Sequence, residues 1–598
     1  MLKNAKVLQL SIPTFLRWTV AGICCAAITN VMAAVTLQGQ VLDVNGFPVR
    51  QAMLTWQPSG KTRGATATTV FTNAQGEFVF PQSDHTFNDD DVSAKALNYQ
   101  QLRVIADTKR KNVVGLTVVM QHSVDQSDVA PASAWLRRIT DDDKRTEFVR
   151  NCVGCHQVPA PEVRHYAQMI EAMPGDNKEQ IRQQSWTAIV KYMNFLSREE
   201  FARADPSAVV EHRAAYSIGN GESIVNILSE SFAGGLDRVE GYDYGAPLLT
   251  NDKTVIREYE VPRPNAVREA LLMGKEKHLW VADVASNNLI RVDPTTGKQK
   301  ILSVPANVPV GPHTLHPGSD GSVWVAPLFN GVVAKLNPDS EQWKLWYLKT
   351  DQFNEVGIHD LSFGASHELL TSSDGRIWFS DIINNAVGAF DPATGDVSEY
   401  PIPAVEGRDL RESVYGLAMT SDRKHVWFSQ LGIGTFGVFN TETLQFEDRI
   451  VLPSIHAGPR RLAVDENDRL YVPLYGAGQL VVYDTKARNM LGTYDLPDRA
   501  SAPYAVTWDA VRQVAWIPAS NGNVIYQFNP RTEKFAVLPL PRAGGLLRMV
   551  QVDKETGHLI TSYANLLENV HGPRMALIIE PGDDFQSTQT EKTPMTWR

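Results

Sequence analysis

Cys152, Cys155 and His156 stand in the run Asn151-Cys152-Val153-Gly154-Cys155-His156, and a C-x-x-C-H run has the spacing of a covalent c-type haem attachment site. Two thiols three residues apart can each form a thioether to a haem vinyl group, while the adjoining imidazole rises beneath the iron as proximal ligand. The same thiols would serve a thioredoxin-like redox pair or half of a zinc site. The chain has no second C-x-x-C, however, and the adjoining His suits haem. One covalent haem c is therefore the expected cofactor. Trp186, Ile189, Val190 and Met193 fall at i, i+3, i+4 and i+7, so one helical face carries a Met among bulky apolar groups. Met193 is the expected sixth ligand; Met169, Met173, His165 and His212 compete with it, and a core Met filling a gap is the alternative.

A second set of polar side chains recurs at fixed places in the C-terminal half. An apolar pair with an aromatic residue and a polar tip repeats at Leu279-Trp280-Val281-Ala282-Asp283, Val323-Trp324-Val325-Ala326, Ile377-Trp378-Phe379-Ser380-Asp381, Val426-Trp427-Phe428-Ser429-Gln430, Leu470-Tyr471-Val472-Pro473, Ala515-Trp516-Ile517-Pro518 and, more weakly and without the aromatic, Leu559-Ile560-Thr561-Ser562. Seven copies at this period predict a seven-bladed β-propeller with four strands per blade, spanning 254–585, its last blade completed by a strand near Val255 to Val261. About a dozen residues before each copy lies an inner-strand pattern whose second position is never apolar: Arg268, His313, His359, Tyr415, Arg460, Tyr504 and Arg548. These seven are expected to ring the mouth of the central channel and to form the catalytic or binding set. Three guanidinium groups aimed at one axis repel unless an anion sits there, so a polar, anionic small molecule is the expected ligand. Pairing with Glu269, Asp360 or Asp381 is the other way to settle that charge. Because this ring and the haem motif fall in different segments, changes in one are expected to leave the other alone.

What positions these groups is legible in the patterning. Lys3 and Lys6, the apolar run Val20 to Ile28 and Val31-Met32-Ala33 before Ala34 make residues 1–33 a secretory signal, so the protein is expected to be periplasmic, with no membrane span once the signal is removed. Cys24 and Cys25 leave with it, and the two remaining thiols both lie in the haem motif, which excludes a disulfide framework. A formal net charge of -10 with no basic cluster argues against nucleic acid. Residues 34–122 alternate in the strand manner between Gly and Asn turns, as in a small β-sandwich. Residues 134–215 turn helical around the haem motif, and the Gly-rich stretch 216–253 reads as a linker. The fold class is thus mainly β, with a short α-helical segment between sandwich and propeller.

Three resemblances follow from these residues. The order G-x-V-x-D-x-x-G-x-P-V followed by T-N-A-x-G-x-F-x-F, within Gly39 to Phe80, resembles carboxypeptidase regulatory-like domains, which implies a transthyretin-like scaffold without chemistry. Residues 134–215 resemble cytochrome c through the C-x-x-C-H run. Residues 255–580, through Ile377-Trp378-Phe379-Ser380-Asp381 with Phe390-Asp391-Pro392-Ala393-Thr394-Gly395 and Glu399-Tyr400-Pro401-Ile402-Pro403, resemble the virginiamycin B lyase (streptogramin lyase) family. That last resemblance implies a His base and acidic ligands for Mg2+ at the channel mouth, matched by position to His313, His359, Asp283 and Asp381. Arg460-Arg461 and Val472-Pro473-Leu474 depart from the pattern in the fifth repeat.

Two activities and one binding role are compatible with this reading. One is an oxidoreductase role, single-electron transfer between the haem and a redox partner protein such as another cytochrome or a dehydrogenase, with the propeller binding the substrate or partner. The other is a carbon-oxygen lyase assisted by a divalent ion, with His313 or His359 as base. A propeller that only binds, carrying an electron-transfer haem, is a third. A fused haem favours the first, since elimination has no redox step.

Overall fold

The computed structural model describes residues 36–58, 65–82, 91–110, 113–195, 221–262, 267–349, 357–365, 368–408, 413–565 and 573–583. The signal expected at 1–33 and His212 lie outside them. No described helix is long and apolar enough to cross a membrane.

In the N-terminal part, Thr36–Asp43 lies parallel to Val113–His122 and antiparallel to Glu77–Val79, with Tyr99–Arg110 on the far edge. A second layer, Val92–Lys95, Met53–Trp56 and Ala67–Phe71, packs over it through Leu37, Val41, Leu54, Trp56, Phe78 and Val118. This layer does not end at the sandwich. Ala67–Phe71 pairs antiparallel with Val255–Glu260, which in turn pairs with Met575–Glu580. One seven-stranded sheet thereby runs from the sandwich into the C-terminal part.

That part is built from four-stranded antiparallel units: 267–303, 312–347, 358–401, 414–451, 463–495 and 507–539, with a seventh made of 547–552, 559–563, 575–580 and the returning strand 255–260. The innermost strand of each unit contacts the innermost strand of the next, and Leu547–Val552 contacts Val267–Met273, which closes the circuit of a β-propeller. Serine hydroxyls at or just past the ends of the second strands tie the units together. Ser380 donates to Tyr415 O (2.9 Å), Ser429 to Arg460 O (2.7 Å), Ser520 to Leu547 O (2.6 Å) and Ser562 to Arg268 O (2.7 Å), each reaching the next unit's inner strand or the residues leading into it. A small side chain with a rotating donor suits this place, since a buried carbonyl left without a donor is costly.

Among the described residues, five helices lie between sandwich and propeller: α1 (Ser133–Leu136), α2 (Asp142–Cys152), α3 (Pro161–Ala172), α4 (Lys178–Phe195) and α5 (Glu222–Ser231). The helical stretch that leads into the C-x-x-C-H run comes in two pieces, α1 and α2. Asp141 caps α2 by accepting from Lys144 N at 2.9 Å, and Asp142 and Asp143 follow in its first turn, where acids favour a helix start. The expected linker is corrected. Ile224, Val225, Ile227 and Leu228 are buried on α5, which packs against α4 and α2. Four apolar residues on one face outweigh the flanking glycines.

The five helices are no separate body. Trp135, Phe148, Val149, Trp186 and Phe232 share one apolar core with Leu328, Ile382, Leu431, Tyr475, Ala502 and Leu546 from the propeller. The helices therefore lie across the propeller face on which the inner strands begin.

Candidate functional site

Each polar residue of the inner-strand pattern reaches the axis through a local irregularity. Arg268 falls between the pairs Val267↔Asp283 and Ala270↔Val281, His313 between Pro312↔Pro327 and Thr314↔Ala326, and His359 between Ile358↔Asp381 and Asp360↔Ser380. Tyr415 and Arg548 sit at equivalent register shifts. A bulge gives the strand an extra residue and re-aims its side chain, here toward the channel. Arg460 and Tyr504 stand just before their short inner strands, each following an isolated bridge at Pro459 or Pro503.

All seven are buried. Tyr415 and Tyr504 meet hydroxyl to hydroxyl; Arg460 donates to Tyr415 Oη and Arg548 to Tyr504 Oη, both at 2.9 Å. The Arg460 guanidinium lies 3.9 Å from the Tyr475 ring centre and 4.2 Å from that of Tyr504, within cation–π range. His313 and His359 are 4.7 Å apart, ring centre to ring centre, and His359 lies 3.7 Å from Tyr415. Arg461, which sequence reasoning noted only as a departure, crosses the channel to an ion pair with Glu269 and also donates to Thr314 Oγ1. Glu269 accepts from Leu315 N as well (3.1 Å). Deeper, His316 Nε2 meets Asp360 Oδ1 at 3.0 Å and stacks on Phe363. Glu269 thus offsets the charge of Arg461, a guanidinium outside the expected ring, while Asp360 is bonded to His316.

The C-x-x-C-H run ends α2 directly over this ring. Tyr475 donates to Val153 O, and Cys152 packs into the core shared with Tyr415 and Tyr504. The expectation that ring and haem motif are independent is therefore corrected. Gly476 makes the close approach feasible, since a Cβ there would stand 2.2 Å from His456 O and 2.9 Å from Thr146 O on α2. Cys152 and Cys155 are not joined in a disulfide. Burial pushes the Cys152 thiol up to about 12. His156 Nδ1 lies 2.7 Å from Gln157 O; a carbonyl only accepts, so Nδ1 carries the hydrogen and Nε2 keeps its lone pair. Burial also holds His156 below the ordinary imidazole range, hence neutral. Two thiols outside any disulfide and a neutral, backbone-anchored imidazole fit a covalently held haem.

The expected sixth ligands scatter. His165 and Met169 are exposed on α3, while Met173, at its end, takes the Ser185 hydroxyl on sulfur at 3.9 Å. Met193 is half-buried in the last turn of α4, beyond the buried Trp186 and Val190.

The acids matched to Mg2+ serve turns. Asp381 accepts from Ile383 N (2.8 Å), Asn384 N (3.0 Å), Asn384 Nδ2 (2.7 Å) and Gly357 N (3.2 Å); burial nevertheless raises its pKa, and Glu399 shares its hydrogen bonding. Asp283 caps the Ser286 turn at 3.4 Å. Among the described residues no group of three or more His, Cys, Asp or Glu is placed to hold a metal ion, so this donor set does not fit Mg2+.

Residues 257–545 match the model of the virginiamycin B lyase family. Outside that span lie the sandwich, the helices and the closing strands. The virginiamycin B lyase-like propeller is also similar to lactonase drp35 of Staphylococcus aureus strain MRSA252, 24% identical over 260 residues, covering 40% of this chain and 73% of the relative. With the Staphylococcus epidermidis lactonase drp35 of strain RP62A the identity is 22% over 237 residues, and the chain spans 66% of that relative's length. Among solved structures, a streptogramin B lyase (16% identity, TM-score 0.45, 55% of this chain and 97% of that one) and the Staphylococcus aureus virginiamycin B lyase (15%, 0.45, 55% and 99%) are similar to it.

Proposed function

We propose that this protein is an exported c-type haem protein of the oxidoreductase kind with a seven-bladed propeller, in which Cys152, Cys155 and His156 would hold a haem for single-electron transfer. One observation supports this above the others: the attachment loop does not hang from a flexible segment but is packed onto the Tyr415, Tyr475, Tyr504 and Arg460 cluster. When bound, the haem supplies a one-electron couple. His156 offers Nε2 to the iron, and Gln157 O holds its Nδ1 hydrogen. The apolar core around Cys152 excludes water from that side, and the tyrosines and arginines of the mouth set the local field. A redox partner protein reaches the haem from outside the propeller, and Met193 is the proposed distal ligand. The small molecule proposed for the channel is polar and anionic, held by Arg460 and Arg548.

The family match favours a second reading, elimination or ester opening at the propeller mouth with His313 or His359 as base. Its metal is the weak part, because Asp283 and Asp381 are engaged by backbone amides.

The test is a visible spectrum of protein matured in a periplasm, oxidised and reduced, with haem staining after denaturing electrophoresis. Covalent haem that candidate substrates reduce supports the redox role. A colourless, unstained protein that opens lactones or eliminates at an ester would replace it with the second reading.

A further inference from the structure

We propose that Gln157 is a positioning residue for the His156 imidazole and that the propeller, not the helical segment, holds it in place. The inference rests on the haem reading above. The Gln157 main-chain carbonyl takes the His156 Nδ1 hydrogen at 2.7 Å, and the Gln157 side chain is buried. Its Nε2 meets three acceptors, Ser520 O at 3.0 Å, Asn523 Oδ1 at 2.7 Å and Gly545 O at 2.9 Å, while its Oε1 accepts from Gly544 N at 3.1 Å. All four partners belong to propeller loops.

The next residue is gripped as firmly. Val158 N donates to Asn521 Oδ1 and Asn521 Nδ2 donates to Val158 O, both at 2.9 Å, so one amide side chain replaces a strand partner. Asn521 is itself fixed, since its own N–H donates to Ser501 O and its carbonyl accepts from Ser133 N. A carbonyl between two such grips has little freedom to turn. The direction of the imidazole's Nδ1 bond is then dictated by loops 520–523 and 544–545.

This matters chemically because the bond to the second ring nitrogen sets how basic the ligating nitrogen is. A well-aligned carbonyl makes the imidazole electron-rich and favours ferric over ferrous iron. Letting it swing reverses part of that preference and raises the potential.

The test uses full-length protein matured with haem, in the unmutated form and as Gln157→Met and Asn521→Ala. Haem staining of the unmutated protein is read first; no stain there overturns the haem reading and this inference with it. Both variants are expected to keep covalent haem in unchanged amount and to show a higher midpoint potential. Both variants keep the Gln157 carbonyl and loosen its grip, and a tenfold change in ferric over ferrous preference would read as about 59 mV for one electron. If Gln157→Met does not accumulate, Asn521→Ala carries the test from the propeller side. Covalent haem at an unmoved potential, with a lowered melting temperature, would overturn the inference: Gln157 would then fasten helices to propeller without reaching the imidazole.

Discussion

Tyr475 donates its hydroxyl to the main-chain carbonyl of Val153, joining the tip of a propeller hairpin to the first of the two residues between Cys152 and Cys155. The two are 322 positions apart in sequence, and the bond is buried. Arg460 lies against the same tyrosine ring at 3.9 Å, so the contact continues into the channel mouth.

Tyr475→Phe is therefore expected to destabilise the protein by about 1 to 3 kcal/mol, the cost of a buried carbonyl left without its donor. Thermal unfolding measures the loss. Protease cleavage near Val153 should become faster, because the attachment loop loses its tie to the hairpin.

Cys152→Ala combined with Cys155→Ala should abolish haem that survives denaturing electrophoresis, since no other described cysteine exists to form a thioether. A doubly substituted protein that still stains would end the attachment reading.

Arg461→Ala leaves Glu269 as an uncompensated charge inside the channel. Breaking a buried pair by removing one partner costs about 3 to 5 kcal/mol, whereas replacing both partners with apolar groups of similar size costs far less. Arg461→Met with Glu269→Met should accordingly be closer to the unmutated protein in urea unfolding than Arg461→Ala alone.

His456 gives the docking of α2 a pH dependence. Burial first, then the Arg150 charge on α2, hold its pKa below the ordinary imidazole value, with Glu147 and Asp143 opposing and Arg408 adding to Arg150. The ring is thus neutral when folded while the unfolded chain binds a proton near pH 6.5. Stability is complete above that pH and falls as acidification protonates the unfolded form, down to the lowered folded value. His456→Gln should flatten this slope between about pH 7 and pH 5, which melting temperatures across that range will read.

Met193→Ala should remove the weak far-red band of a thioether-ligated ferric haem and lower the potential, since Met ligation raises it. If Met173→Ala does so instead, the ligand comes from the end of α3.

Local chemistry in the sequence carried a good part of this protein. The period of the aromatic repeats announced four-stranded units, because each copy must bury the same apolar pair on both faces of an inner sheet. The polar second position of the inner strands marked the buried residues at the channel mouth, and the C-x-x-C-H spacing marked the segment for which haem attachment is proposed. Tertiary structure alone decided how these meet. The strand Val255–Glu260 pairs with Met575–Glu580, as the repeat period led one to expect, but it pairs on its other edge with Ala67–Phe71 of the sandwich, a contact that no local pattern encodes. Arg461, an anomaly in its repeat, is explained only by Glu269 across the axis. Asp381 looks like a metal ligand in the chain and is a turn cap in space, because the amides that claim it come from the turn it precedes and from Gly357 at the head of the inner strand. And the sequence could not show that the haem motif lies on the channel mouth, since that contact rests on shape: a hairpin tip with no Cβ at Gly476, against which α2 can close.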